Sequence, residues 1–82
     1  MRYVFDIETD GLLEDVTLVH CLVLKDIDNG DIISFTQKDW HEGVKLLQDA
    51  ELIIGHNIIK YDIPVLKKLY GFFNPKGIIR DT

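Results

Sequence analysis

The run Val4-Phe5-Asp6-Ile7-Glu8-Thr9-Asp10-Gly11-Leu12 constrains this chain more than any other. It opens with apolar, β-branched and aromatic residues and closes on a glycine. That pattern predicts a strand over Arg2–Ile7 and a turn across Thr9 to Asp15. Side chains alternate along a strand, so Asp6 and Glu8 share one face, about 7 Å apart, while Ile7 and Val4 are expected on the other. Carboxylate oxygens are the ligands of hard divalent cations. Two acids on one face near the end of a strand can therefore hold a metal. The same residues also serve as solvated turn residues or helix caps, so a second group elsewhere in the chain has to decide.

With 82 residues the chain makes one small domain, 1–82. Its net charge of −5 argues against non-specific attraction to phosphate backbones, although bound metal ions would reverse the sign locally. Cys21 is the single cysteine, which excludes an internal disulfide and fits a reduced, cytoplasmic setting. The N-terminus runs straight into the first strand, so no signal peptide is expected. No apolar run has the length of a membrane span, so no membrane partner is expected.

Val16 to Asp26 reads as a second strand. Val16, Leu18, His20, Leu22 and Leu24 line one face, and Thr17, Val19, Cys21 and Val23 the other. Both faces are largely apolar, which predicts a strand covered on both sides, with His20 and Cys21 packed in the core. Asp28-Asn29-Gly30-Asp31 predicts a type I′ hairpin into a third strand, Ile32–Thr36. Thr36 with Asp39 approximates a capping box. Trp40, Val44 and Leu47 then recur at helical spacing, with Trp40 as a core anchor. Gly43 weakens that helix by roughly 1 kcal/mol relative to Ala.

Leu52 to Asn57 reads as a buried parallel strand. A second helix covers about Tyr61 to Tyr70, with Pro64 in its first turn and Gly71 as its stop. Gly77 to Arg80 makes a fifth strand. In open α/β sheets, sites gather where the C-terminal ends of neighbouring parallel strands meet. Placing the fourth strand beside the first brings His56 and Asn57 to Asp6 and Glu8. The sheet order is then 3-2-1-4-5, with strand two antiparallel and two helices over the sheet. Asp62, at the start of the second helix, is either an N-cap or a third carboxylate for the same site.

Asp6-Ile7-Glu8-Thr9-Asp10-Gly11-Leu12 resembles the first motif of the DEDD, or DnaQ-like, 3′–5′ exonucleases. Asn57-x-x-x-Tyr61-Asp62, with Pro64 and Leu66, resembles their second. The run from Asp6 through Leu12, Leu13 and Val16-Thr17 to His20-Cys21 looks like the proofreading domain of phage family A DNA polymerases in particular. Asp81-Thr82 resembles the start of the helix that follows the fifth strand in that family. The resemblance covers nearly the whole chain. It implies a ribonuclease H-like core and two-metal hydrolysis, with Mg2+ or Mn2+, at the 3′ end of single-stranded DNA. By the same resemblance Asp6 bridges two ions roughly 3.5–4 Å apart, Glu8 binds one of them, and Asp62 supports the second through its water shell. Thr9 and Leu12 match positions that contact the terminal nucleotide. Asn57 either contacts substrate or shapes its turn.

One departure stands against this. The family's third motif, a Tyr or His followed by Asp on a C-terminal helix, has no counterpart here: Tyr70 is followed four residues on by Asn74, and Tyr61 by Val65. The chain reaches Thr82 before such a helix, so the domain is expected to be incomplete. Two readings follow. One is an exonuclease core, set in the cytoplasm of a bacterial host. The other is a catalytically inactive fold that binds nucleic acid, metal or protein, docking on a polymerase domain or on a copy of itself through an uncovered sheet face.

Overall fold

The computed structural model describes residues 1–82. Five strands form one sheet: β1 (Arg2–Thr9), β2 (Val19–Asp26), β3 (Ile32–Thr36), β4 (Leu52–Gly55) and β5 (Ile78–Asp81). Their order is β3-β2-β1-β4-β5, as the sequence predicts. β2 runs antiparallel to β1 and β3, while β4 runs parallel to β1 and β5. Two helices, α1 (Trp40–Asp49) and α2 (Ile63–Tyr70), complete a mixed α/β fold consistent with a ribonuclease H-like core. No helix is long and apolar enough to cross a membrane.

Alternation along β1 decides what the sheet covers. Tyr3, Phe5 and Ile7 are buried, while Arg2, Val4, Asp6 and Glu8 are exposed. Val4 therefore lies on the face of Asp6 and Glu8 and not, as expected, on that of Ile7: it is an even number of residues from both acids. The buried set joins Leu22, Leu24 and Ile53 under Val44 and Leu47 of α1 and Val65 and Leu66 of α2, in a single core. The helices meet each other through Trp40 and Tyr70, whose rings pack edge-on at 6.3 Å. Trp40 is thus the core anchor that its spacing predicts. Gly43 earns its place in α1, because a Cβ there would stand 2.5 Å from Leu22 Cδ2 and 2.7 Å from Phe35 Cδ2. The small loss of helix propensity is offset by close packing of α1 on β2 and β3.

Several local expectations are corrected. β2 begins at Val19, not Val16, and Glu8 pairs with Cys21 while Thr9 pairs with Val19, so His20 is an extra residue. This bulge shifts the alternation, burying Val19 and turning His20 out to solvent. His20 is therefore not a core residue. β2 is not covered on both sides either: Cys21 and Val23 are only partly buried, and both helices sit on the other face.

The hairpin after β2 is not type I′, which needs positive φ at two central residues; in this turn only Gly30 has it. Asp26 accepts the N–H groups of Asp28 at 2.9 Å and Asn29 at 3.3 Å, and this side-chain turn holds Asn29 at negative φ. The helix expected to start at Thr36 starts at Trp40. Asp39 does reach back to the Thr36 N–H, but the pair closes a turn ahead of the helix. Finally, the second helix begins before Tyr61. Residues Ile58–Asp62 form one wide π turn, closed by Ile63 N–H to Ile58 O, that leads directly into α2.

Candidate functional site

Parallel pairing of β1 and β4 brings their C-terminal ends side by side. Asp6 and Glu8 stand exposed on the open face of β1. β4 ends at Gly55, where a Cβ would stand 2.3 Å from Ile58 Cγ2 and 2.9 Å from Phe5 O. Only a residue without a side chain lets the chain turn so closely over β1. His56 and Asn57 follow, both exposed, and Asn57 adopts the left-handed conformation at φ 56°. Asn57 thus shapes the turn, a role that Asn tolerates better than most residues. Its side chain makes no capping hydrogen bond.

The π turn carries Asp62 back toward β1. Asp62 occupies the N-cap position of α2 but makes no side-chain cap bond. It is only 5% exposed, and its Oδ2 has no hydrogen-bond partner. Burial pushes its carboxyl up to about 6, reinforced by the charge of Asp6; the Ile7 N–H pulls the other way, and the charge of Asp81 adds a smaller upward push. A capping role is therefore not what holds Asp62 in place. A buried carboxylate beside a second one demands a proton or a cation.

The loop after β1 is built differently. The Asp10 carboxylate accepts the Thr17 hydroxyl and the N–H groups of Thr17 at 3.0 Å and Leu18 at 3.1 Å. These bonds, the Thr17 hydroxyl first, hold the Asp10 carboxyl down at about 2. Asp10 is thus a structural clamp rather than a merely solvated charge. The loop is tied both to the π turn and to α2. The Tyr61 hydroxyl donates to Gly11 O at 2.6 Å and lies 2.5 Å from Thr9 Oγ1. Lys68 Nζ donates to Leu13 O and Glu14 O, each at 3.0 Å. Leu13 packs on the core, while Leu12 is left 70% exposed at the rim.

The fold thus brings Asp6 and Asp62 within electrostatic reach and anchors Thr9 beside them through Tyr61. Glu8 lies further along the open face. No group of three His, Cys, Asp or Glu side chains is gathered closely enough to hold a metal ion. The donor chemistry of Asp6 and the partnerless oxygen of Asp62 fit a hard cation; Glu8 as it stands does not complete the set. The site is an open surface with no enclosed cavity. Sequence reasoning missed Tyr61 as the strut between the two motifs. It also missed Asp81, which packs against the π turn and accepts the Ile59 N–H. The signal for Tyr61 was its place next to Asp62 on a turn facing the Gly11 loop.

No protein-family model matches the chain. The chain is 41% identical over 71 residues to the DNA-directed DNA polymerase of Escherichia phage T7, a match that covers 80% of this chain and 10% of that polymerase. It is 42% identical over 71 residues to the DNA-directed DNA polymerase of Enterobacteria phage T3, with the same coverage. The chain therefore spans about a tenth of the length of these curated relatives, and it is homologous to that stretch of the phage DNA polymerases.

Proposed function

We propose that this chain is the core of a metal-dependent 3′–5′ exonuclease of the proofreading type, acting on the 3′ end of single-stranded DNA. The observation that carries the reading is Asp62, a buried carboxylate within electrostatic reach of Asp6, with an oxygen that has no partner. Folding a charge into such a position is costly unless the position is used. The similarity to phage DNA polymerases favours a DNA substrate over other phosphodiesters.

On this reading Asp6 and Asp62 would hold Mg2+ or Mn2+, with Glu8 as a further ligand. The bound ions supply a hydroxide-generating centre and a positive charge at the leaving oxygen. The protein does the rest. Asp62, carried on the π turn, holds its carboxylate within electrostatic reach of Asp6. Thr9, braced by Tyr61, offers its backbone to the terminal nucleotide. Leu12, exposed at the rim, packs against its base. Asn57 sets the angle of the turn.

The test is release of nucleotides from a 3′-labelled single-stranded DNA, with magnesium and then manganese, by this chain and by Asp6→Ala. Metal-dependent release that vanishes in Asp6→Ala is the expected result. Release no greater than that of Asp6→Ala overturns the self-sufficient nuclease. It would leave the second reading, a fold that binds without cutting. That reading has its own support, since the open sheet face carries the apolar residues Val4 and Ile32.

A further inference from the structure

The π turn that carries Asp62 lacks the cap a helix start ordinarily has. Its first helical N–H groups have no partner within the helix, as at any helix start. Asn57, at the N-cap position, makes no side-chain bond to them. Asp62, at the next such position, makes none either. The missing acceptor comes from 22 residues further along: Asp81 Oδ2 accepts the Ile59 N–H at 3.0 Å.

The sheet delivers Asp81 to this point. β5 pairs in parallel with β4, and Asp81 lies opposite Gly55, the last residue before the turn. Thr82 N–H donates to Gly55 O at 3.0 Å, which fixes the register at this end. A carboxylate at the N-terminus of a helical segment is also favourably placed against its dipole. β5 therefore fastens the turn from outside, at the residue three positions before Asp62.

We propose that Asp81 is a positioning residue for the Asp6–Asp62 site, pinning through the Ile59 N–H the turn that presents Asp62. The inference rests on the carboxylate site described under the proposed function. Asp81 is engaged with the backbone and acts through Asp62. Without it the turn is free to unwind by one residue, which would withdraw the Asp62 carboxylate from Asp6.

The experiment is Mn2+ binding to the 82-residue chain, followed by electron paramagnetic resonance at a temperature where circular dichroism shows each variant folded. Removing an outer partner of a metal ligand costs about 10–100-fold in affinity, and a loss of that size is expected for Asp81→Ala. Asp81→Asn keeps an oxygen that can accept the Ile59 N–H and recovers most of the affinity. Should Asp81→Ala not fold, Asp81→Glu, which displaces the oxygen by one methylene, is read in its place.

Binding lost in Asp62→Ala but unchanged in Asp81→Ala overturns this inference and leaves the carboxylate site standing. Equal weakening in Asp81→Ala and Asp81→Asn also overturns it, since charge alone would then be the cause. Binding by the unaltered chain that is absent, or indifferent to Asp62→Ala, overturns the carboxylate site and this inference together.

Discussion

Two turns meet at one end of the sheet, and each is centred on an aspartate. After β1, Asp10 is exposed to solvent and every bond it makes is satisfied, so its carboxyl is held down at about 2. After β4, Asp62 is buried with a partnerless oxygen, and its carboxyl is pushed up to about 6. The first turn is stabilised by its charge and the second is strained by it. A carboxylate that stabilises its own loop needs no other purpose. One that is buried against its own preference marks a place where stability has been given up, which is how sites for cations and substrates are usually built.

The sharpest way to break this contrast is a pH series on the two aspartates. A raised folded pKa means that the folded state holds the proton more tightly than the unfolded chain. The contribution of Asp62 is then most favourable below pH 4 and is lost as the pH rises through about 6. In metal-free buffer at pH 7.5, Asp62→Asn should therefore be more stable than the unaltered chain by up to about 3 kcal/mol. The gap should close below pH 4. Urea denaturation at both pH values measures it, and a variant less stable at pH 7.5 would sink the idea that Asp62 is strained.

Asp10 carries the opposite sign. Its depressed pKa contributes stability that is present above pH 4 and lost as the pH falls toward 2. Asp10→Ala should lower the denaturation midpoint at pH 7 and converge with the unaltered chain in strong acid. Parallel behaviour of the two variants across the series would remove the distinction between the turns.

The two turns are joined by Tyr61, so Tyr61→Phe tests whether they act together. Loss of the hydroxyl leaves Gly11 O and Thr9 Oγ1 without it and should cost about 1 kcal/mol. Hydrogen exchange should quicken around residues 9–12 while α1 stays protected. The smallest effect is expected at Leu12, which is too exposed to stabilise the fold. Leu12→Ala should change unfolding by no more than about 0.5 kcal/mol. If Leu12 packs on a terminal base, the same variant should still weaken binding of a short single-stranded DNA, read by fluorescence anisotropy.

Much of this was legible in the residues. Alternation along β1 set Asp6 and Glu8 on one face against Ile7 on the other, although Val4 belongs with the acids and not with Ile7. The helical spacing of Trp40, Val44 and Leu47 placed α1, and the order of strands and helices placed β4 beside β1. These are periodic or topological signals, and periodicity survives whatever surrounds it. The errors fell where a single residue breaks the period. The bulge at His20 reversed the faces at the start of β2, because a distant pairing with Glu8 and Thr9 outweighed local alternation. The Asn-Gly turn yielded to the side chain of Asp26. The π turn at Ile58–Asp62 extended the second helix backwards, which no local propensity announces.

The chain's own pattern decided that there is a five-stranded mixed sheet, that two acids share the open face of its middle strand, and that a third follows β4. Those facts depend on nearest neighbours and on the repeat of strand and helix. Tertiary contact decided which acids matter and how. Asp10 and Asp62 are the same residue type, each in a turn at the end of a strand, and nothing local separates them. Thr17 and Leu18 fold back on one, while β1 and the π turn close over the other. The charge of a carboxylate is set by what surrounds it in space, and for Asp62 that is first its burial, then the charge of Asp6 and, least, that of Asp81, residues far from it in the chain.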